Sequence, residues 1–355
     1  MSAVEIDEAK LEEFMGQFVG DLGAAITTPL VLIGDKLGLY KAMADSEPVT
    51  SGELAERTDC NERYIREWLC QQAASGYVEY DASTGTFRLP PEQAMALANE
   101  DSPAFIPGAF QLVAATIKDE PQIAERFRSG EGFGWHEHHH DLFAGTERFF
   151  RPGYLANLVD SWLPALDGVL DKLSAGAKVA DIGCGHGAST ILMAKAFPAS
   201  RFVGSDYHEG SVQAARAAAA RAGVSDRVSF EVASAKDFSG GPFDLVCVFD
   251  ALHDMGDPAG AARHVREQLA ADGTWMVVEP LAGDAIEENL NPVGRVFYGG
   301  STMLCTPASL SQEVGLALGA QAGEQRLTQV LNEGGFGRVS RVAETPFNLV
   351  LEARP

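Results

Sequence analysis

Three glycines at alternate positions, Gly183, Gly185 and Gly187, are the clearest chemical feature of the sequence. They follow an apolar run at 179–182 and precede a helical pattern that begins at Ala188. Glycine lets a ligand approach bare backbone, and the free N–H groups of a new helix can then bind it. The pattern predicts the first strand–turn–helix unit of an α/β sheet that binds a nucleotide.

The glycines alone do not identify the nucleotide. Gly183, Gly185 and Ala188 also fit the G-x-G-x-x-G/A fingerprint of dinucleotide sites. Asp181 stands two residues before the first glycine, where its charge would repel a pyrophosphate but suits a cationic amino-acid moiety, directly or through water. Asp206 ends the second strand, 25 residues after Asp181, and can accept both hydroxyls of a ribose.

The spacing Asp-x-Gly-x-Gly-x-Gly from Asp181 to Gly187 resembles that of the class I methyltransferases, and the resemblance continues through the strands downstream. It implies S-adenosylmethionine as cofactor. It also implies a fold of the α/β class, a Rossmann-like seven-stranded sheet closed by an antiparallel pair, behind an N-terminal mainly helical winged-helix domain. An aromatic residue ahead of the loop often covers the methionine end of the cofactor in such proteins. We assign this role to Tyr154, although a domain-packing aromatic would look the same.

The adenine end departs from the family pattern. Relatives frequently place an Asp where Ser234 stands, to accept from the exocyclic amine. Here the hydroxyl must serve, or the backbone N–H of Ala235 and the side chain of Asp237 share the contact. Tyr207 is expected to stack near the adenine.

Asp250 and His253 follow the fourth predicted strand, so they are expected to reach the same edge of the sheet as the glycine loop. Methyl transfer is an in-line displacement, so alignment supplies much of the acceleration. A hydroxyl acceptor must also lose a proton. His253 can take it near neutral pH, and Glu279 at the next strand end can orient the imidazole and stabilise its cation.

Residues 252–257, Leu-His-Asp-Met-Gly-Asp, resemble the Leu-His-Asp-Trp-Ser-Asp segment of small-molecule O-methyltransferases, whose histidine is the general base. Met255 and Gly256 replace the tryptophan and serine. The resemblance implies O-methylation of a moderately apolar small molecule such as a phenol. Two alternatives stay open: N- or C-methylation with His253 only shaping the pocket, and a cofactor-binding winged-helix transcriptional regulator.

A chain of 355 residues favours more than one domain. We predict a helical and winged-helix dimerisation domain at 1–95, a helical connector and substrate lid at 96–160, and the catalytic domain at 161–355. The region 50–90 reads as two helices and a hairpin and holds four Lys/Arg against seven Asp/Glu. This composition, with a net charge of −23, argues against nucleic-acid binding.

Three further segments carry weaker expectations. Four histidines crowd 136–140, but their spacing is not that of a clean metal site and no cysteine is near, so we predict no metal and expect a lid in which Trp135, Phe143 and one histidine meet the substrate. Pro29 starts a second helical run whose wide apolar face favours a homodimer. Residues 284–320, rich in Gly and Pro, are expected to shape the substrate mouth.

The remaining composition concerns the compartment. The five cysteines are odd in number and form no C-x-x-C pair, which favours reduced thiols. The acidic N-terminus lacks the basic region of a secretory signal, and no apolar run reaches the roughly 20 residues of a membrane span. We therefore expect a cytoplasmic protein that does not contact a membrane.

Overall fold

The computed structural model describes residues 6–355. Residues 1–5 hold part of the acidic N-terminus on which the argument against a secretory signal rests, and they lie outside the described residues. The chain divides into two compact units between Ala114 and Ala115, and each is described by itself.

The first unit is mainly helical around one apolar core. Helix α3 begins with a capping box between Thr50 and Glu53, and α4 buries Ile65, Trp68 and Leu69 at three- and one-residue spacings. Helices α3 and α4 with the hairpin β1–β2 form the predicted winged helix. The elements of this unit are α1 (Glu8–Lys36), α2 (Leu39–Ala42), α3 (Ser51–Thr58), α4 (Glu62–Ala74), β1 (Glu79–Asp81), β2 (Thr86–Arg88) and α5 (Pro91–Leu97), followed by α6 (Pro107–Lys118), which crosses the division.

Helix α1 corrects one prediction, because Pro29 lies inside it and does not start a second helix. Packing outweighs the hydrogen bond that proline cannot donate. Val31 is fully buried, and a Cβ at Gly34 would lie 2.6 Å from the rings of Trp68 and Tyr40, so the helix must press closely on the core there.

The rest of α1 exposes an apolar stripe, with Phe14 60%, Phe18 49% and Leu22 59% exposed. By length and composition α1 could also cross a membrane, contrary to our reading of the sequence, although core helices and secretory signals meet the same criterion. No other element of the described first unit packs against this exposed stripe of α1.

The second unit is a sheet with helices on both faces. Its helices are α7 (Glu120–Ser129), α8 (Asp141–Asn157), α9 (Leu163–Ala165), α10 (Val169–Ala175), α11 (Ala188–Ala196), α12 (Glu209–Ala222), α13 (Pro258–Gln268), α14 (Pro292–Gly300), α15 (Thr306–Leu310) and α16 (Gly323–Glu333). Its strands are β3 (Lys178–Ile182), β4 (Arg201–Asp206), β5 (Val228–Val232), β6 (Phe243–Phe249), β7 (Leu269–Pro280), β8 (Arg338–Glu344) and β9 (Asn348–Arg354).

Among the described residues the seven strands form one sheet in the order β5-β4-β3-β6-β7-β9-β8. The first five are mutually parallel, and β9 pairs antiparallel with both β7 and β8. The α/β class, the seven-stranded sheet and its closing antiparallel pair are thus confirmed. The chain starts at β3, runs outward to β5 and returns to β6, so the strand order reverses between β3 and β6, where ligands of such sheets bind.

Two segments that contain Gly and Pro are helical. Residues 149–154, with Pro152 and Gly153, lie in the middle of α8, which begins at Asp141. Residues 284–320, expected to shape the substrate mouth, contain α14, a π-helical turn at Ser301–Cys305 and α15. Pro292 and Pro307 lie in the first turn of α14 and of α15, where proline is tolerated, and Gly315 and Gly319 lie outside both helices at positive φ.

Candidate active site

A cavity of about 460 Å³ lies in the second unit at the carboxyl ends of β3, β4, β5 and β6. The predicted site residues divide into two groups. Eight line the cavity: Tyr154, Gly183, Gly185, Asp206, Tyr207, Ser234, Ala235 and Asp250. The other three, Asp181, His253 and Glu279, are buried behind its wall.

The glycine loop connects β3 to α11 through left-handed backbone. Gly183, Gly185 and Gly187 have φ angles of 68°, 51° and 79°. A Cβ at Gly187 would lie 2.7 Å from the ring of Phe230, whereas a Cβ at Gly185 would meet nothing within 4 Å. The loop therefore needs glycine for its conformation, for close packing and, at Gly185, to leave open space beside the backbone.

Asp206 ends β4 and holds the glycine loop. Its Oδ2 accepts from the backbone N–H of Gly185 at 3.0 Å, and its Oδ1 accepts from that of His208 at 2.8 Å. Each oxygen keeps a second lone pair for a ligand. Burial raises the pKa of the carboxyl, while the two N–H bonds oppose this rise.

Asp181 does not line the cavity, and only 1% of it is exposed. Its Oδ2 accepts from the hydroxyls of Ser189 and Thr190, both at 2.6 Å, which ties the end of β3 to the first turn of α11. Its Oδ1 is buried without a hydrogen-bond partner. Burial raises the pKa of this carboxyl to about 6, although the two hydroxyls act in the opposite direction.

The wall beyond β5 holds the residues expected at the adenine. The hydroxyl of Ser234 donates to Asp237 Oδ2 at 2.5 Å, and Asp237 itself does not line the cavity. Ala235 contributes to the wall beside it, and Tyr207 lines the cavity while 46% exposed. The hydroxyl of Ser234 therefore donates its hydrogen to Asp237, and because its oxygen also accepts from the backbone N–H of Lys236 at 3.2 Å, one lone pair remains for a ligand.

Asp250 and Tyr154 meet at the opposite wall. Asp250 has a positive φ of 50°, an uncommon conformation for a residue other than glycine that is typical of functional sites. Asn348 donates to its Oδ1 at 2.8 Å, and the Tyr154 hydroxyl lies 3.5 Å from its Oδ2. Burial raises the pKa of Asp250, and Glu279 raises it further.

His253 and Glu279 form a buried pair behind this wall. Nδ1 of His253 lies 2.5 Å from Oε2 of Glu279, whose Oε1 accepts from the backbone N–H of Leu252 at 2.9 Å. Burial lowers the pKa of the imidazole, but the carboxylates of Glu279 and Asp254 outweigh it and hold that pKa well above its ordinary value. The pair therefore favours the protonated imidazole, whose charge lies beside the two carboxylates.

Asp254 links this pair to the cavity, and the sequence reading gave it no role. It lines the cavity, and its Oδ1 lies 3.3 Å from Nε2 of His253. Its Oδ2 accepts from the indole N–H of Trp135 at 3.0 Å. Sγ of Cys305 lies within 4.8 Å of both ligand atoms of His253 and Asp254. Residues 135 and 305 are too far along the chain from 253 for spacing to reveal this cluster.

The histidine-rich segment separates into different roles. His136, like Trp135 and Phe143, lines the cavity. His138 is buried, with Nδ1 2.8 Å from Asp119 Oδ2. His139 and His140 lie beside the carboxyl of Asp141 near the surface, with donor atoms within 4.8 Å of one another. The histidines lie between a 3₁₀ turn at Trp135–Glu137 and the start of α8 at Asp141, a local geometry that residue spacing does not reveal.

Comparisons with known proteins agree with this arrangement. Residues 173–335 match the family described as "Methyltransferase domain", and residues 24–99 match an Rv2258c-like winged helix-turn-helix domain. The chain carries a methyltransferase domain behind a winged helix.

Solved structures share the fold over nearly the whole chain. Mitomycin 7-O-methyltransferase is 20% identical with a TM-score of 0.69, covering 98% of this chain and 100% of that one. Human N-acetylserotonin methyltransferase, solved with S-adenosylmethionine, is 15% identical with a TM-score of 0.69, covering 100% and 99%. These likenesses show the fold of the methyltransferase domain and its winged helix.

The matches to curated relatives cover a smaller part of this chain than the matches to solved structures do. The 27-O-demethylrifamycin SV methyltransferase of Amycolatopsis mediterranei is 35% identical over 131 residues, which is 35% of this chain and 48% of the relative. A second, an uncharacterized protein of Synechococcus, is 31% identical over 98 residues, 27% of this chain and 24% of its own length. The chain thus spans less than half the length of these curated relatives.

Proposed function

We propose that the protein is an S-adenosylmethionine-dependent methyltransferase that methylates an oxygen of a small molecule. The observation that carries the proposal is the cavity at the sheet reversal, where bare glycine backbone faces the carboxylates of Asp206 and Asp250. The cofactor supplies a methyl group on a positively charged sulfur. The names of the mitomycin, rifamycin and N-acetylserotonin enzymes support the choice of a small-molecule acceptor.

The residues present fit this cofactor better than a dinucleotide. Asp206 would hold the ribose hydroxyls with the lone pairs that Gly185 and His208 leave free. Asp250 and Tyr154 would face the positively charged methionine end. Lys236, the one Lys or Arg on the described cavity wall, is occupied by Glu313 at 2.9 Å and Asp257 at 3.4 Å. Negative walls of this kind stabilise a cation and repel a pyrophosphate.

The chain's own groups would take the acceptor's proton. We keep His253 as the general base, because Glu279 fixes its Nδ1 and leaves Nε2 as the accepting nitrogen. Since His253 lies behind the wall, the acceptor's proton would pass first to the carboxylate of Asp254, which lines the cavity, and from there to Nε2 at 3.3 Å, leaving Asp254 ionised again. Proton uptake places the imidazolium between two carboxylates, which lowers its free energy.

Calorimetry tests the cofactor assignment. The chain should bind S-adenosylhomocysteine at micromolar concentration and fail to bind NADH under the same conditions. Binding of NADH without S-adenosylhomocysteine would overturn the proposal.

The methylated atom needs a second experiment. Methyl-labelled S-adenosylmethionine is incubated with matched pairs of phenols and anilines, and the wild-type chain is compared with His253→Gln. Transfer to phenols that the substitution abolishes supports O-methylation with His253 as base. Transfer to anilines that survives the substitution favours N-methylation, in which His253 only shapes the pocket.

We further propose that the protein is a homodimer joined through α1. Phe14, Phe18 and Leu22 lie at four-residue spacing on one face and are each about half exposed or more. Light scattering should show a dimer that Phe14→Glu/Phe18→Glu converts to a monomer. Phe127→Glu is the control, because Phe127 is 73% exposed but lies on α7. A monomeric wild-type chain, or one that sediments with phospholipid vesicles, would contradict the dimer.

The cysteines support a cytoplasmic location. All five are free thiols, and Cys184, Cys247 and Cys305 are buried. Free thiols persist in a reducing compartment.

A further inference from the structure

Trp135 and Asp254 form a contact that spans 119 positions of the chain. The indole N–H of Trp135 donates to Asp254 Oδ2 at 3.0 Å, and both residues line the cavity. The other oxygen of this carboxylate, Oδ1, is buried without a hydrogen-bond partner and lies 3.3 Å from Nε2 of His253. A buried carboxylate oxygen without a donor is costly and calls for an explanation.

We propose that Trp135 is a positioning residue for the proton-accepting group: its indole N–H holds one oxygen of Asp254 and thereby keeps the other against Nε2 of His253. The proposal rests on the proposed function, in which His253 takes the acceptor's proton. The unpartnered Oδ1 is then the oxygen that stabilises the imidazolium once His253 is protonated.

The segment that carries Trp135 is fixed at both ends. Before it, the backbone N–H of Phe133 donates to Pro307 at 2.9 Å, which joins the segment to α15, two residues after Cys305. A Cβ at Gly132 would lie 2.0 Å from the backbone N of Ser311, so these two segments of the chain are in direct contact there. The segment therefore packs directly on α15, which follows the turn that supplies Cys305.

After Trp135, the buried His138 anchors the segment. Asp119 Oδ2 lies 2.8 Å from Nδ1 of His138 and accepts from the backbone N–H of His139 at 3.3 Å. Between the anchors, Glu137 caps the turn by accepting from the N–H of Gly134 at 2.6 Å. Fixed anchors on both sides give the indole a defined position, as a positioning role requires.

Four other groups face or border the imidazole and set its proton affinity. Glu279 reaches it from β7, Asp254 and Asp250 from the β6 loop, and Cys305 from the π-helical turn. The carboxylates of Glu279 and Asp254 raise the pKa of His253. Removing the indole N–H frees Asp254 to turn away, and this lowers the pKa of His253. If Asp254 kept its place, loss of the donor would leave more negative charge beside the ring and the pKa would rise.

NMR of ¹⁵N-histidine-labelled full-length protein, saturated with S-adenosylhomocysteine, tests this without an acceptor. Trp135→Phe keeps a ring but removes the donor, and the pKa of His253 should fall by about one unit. Trp275→Phe is the matched control, because the indole N–H of Trp275 is buried without a partner in the core. It should leave the pKa of His253 unchanged.

An unchanged or higher pKa of His253 in Trp135→Phe would overturn the proposal. Asp254→Asn gives a second check, since Trp135→Phe should have no further effect in that background if it acts through Asp254. An additional shift in the double variant would also count against it. Failure of the proposed function is a separate outcome, seen as absence of S-adenosylhomocysteine binding to the wild-type chain.

Discussion

The two units of the chain differ in where they bury carboxylates and where they expose a continuous apolar stripe. In the first unit the ion pairs lie at the surface, as between Arg66 and Glu62 on α4, while apolar side chains are exposed along α1. In the second unit Asp181 and Glu279 are each 1% exposed. Burial of a carboxylate costs free energy unless partners compensate.

This difference bears on which unit handles charge and which unit contacts a partner. Buried carboxylates with raised pKa values, gathered at strand ends around a cavity, indicate a site where charge is handled. An exposed apolar stripe with surface ion pairs indicates contact with a partner. This difference supports the proposals that catalysis belongs to the second unit and dimerisation to the first. Each substitution below tests one side of this division.

The largest effect is expected for Glu279→Gln. The amide that replaces the carboxylate is neutral and binds Nδ1–H of His253 less strongly. The pKa of His253 therefore falls, and the imidazole loses its orientation. Transfer to a hydroxyl acceptor should slow by about 10³-fold, within the range of general-base catalysis. The acid limb of the pH–rate profile should move to lower pH, because the carboxylate of Glu279 raises the pKa of His253.

Glu344→Gln is the control for this substitution, since Glu344 is exposed on β8 and pairs with Arg341. Its rate should match the wild type. Unchanged transfer by Glu279→Gln would place the proton acceptor elsewhere.

Asp206→Ala should weaken S-adenosylhomocysteine binding by about 100-fold, measured by calorimetry. The substitution removes charge-assisted bonds to the ribose, each worth about 1.5–3 kcal/mol, and frees the N–H of Gly185. Asp226→Ala, at a 72% exposed side chain before β5, should bind as the wild type does. Equal affinities for the two variants would remove Asp206 from the cofactor site.

Asp181 is expected to change stability with pH. Its folded pKa of about 6 exceeds the ordinary value of 3.8 for aspartate, so the folded state binds the proton more tightly than the unfolded state. Stability from this group is therefore greatest below about pH 4 and falls by about 1.4 kcal/mol per pH unit up to about pH 6. Urea unfolding of wild type and Asp181→Asn measures the difference, which should become constant above pH 6. A difference independent of pH between 4 and 6 would contradict the buried charge.

Sequence reasoning reached the fold and eight residues of the cavity wall because both depend on local patterns. The apolar runs ending in Asp206 and Phe249, and the glycines between a strand and a helix, carry their meaning within a few residues. Parallel pairing then aligns the strand ends: Ile182 at the end of β3 pairs with Ser205 of β4 and with Val248 of β6. Eight predicted residues consequently line one cavity.

The residues on the side of the cavity where we propose that the acceptor binds could not be predicted from local patterns. Trp135, Asp254 and Cys305 belong to three segments that meet only after folding. The burial of Asp181 behind the wall depends on the hydroxyls of Ser189 and Thr190, whose direction a helical pattern does not specify.

The smallest effect is expected for Arg63→Ala/Arg66→Ala on the winged helix. All four basic residues at 50–90 are ion-paired in the structure: Arg57 with Asp45, Arg63 with Glu67, Arg66 with Glu62 and Arg88 with Glu79. Phosphate binding would have to break these pairs and overcome the acidic surface around them. Exposed pairs are worth about 0–1 kcal/mol each, so the double variant should unfold close to the wild type.

Fluorescence anisotropy with labelled duplex DNA at low salt measures the functional side. Wild type and double variant should both leave the signal unchanged. Salt-dependent binding that disappears in the double variant would instead make the winged helix a DNA reader, and would favour the regulator over the enzyme. The arginines of α4 and of the β1–β2 hairpin are already neutralised by glutamates on the same elements, so their charge is not available to bind phosphate.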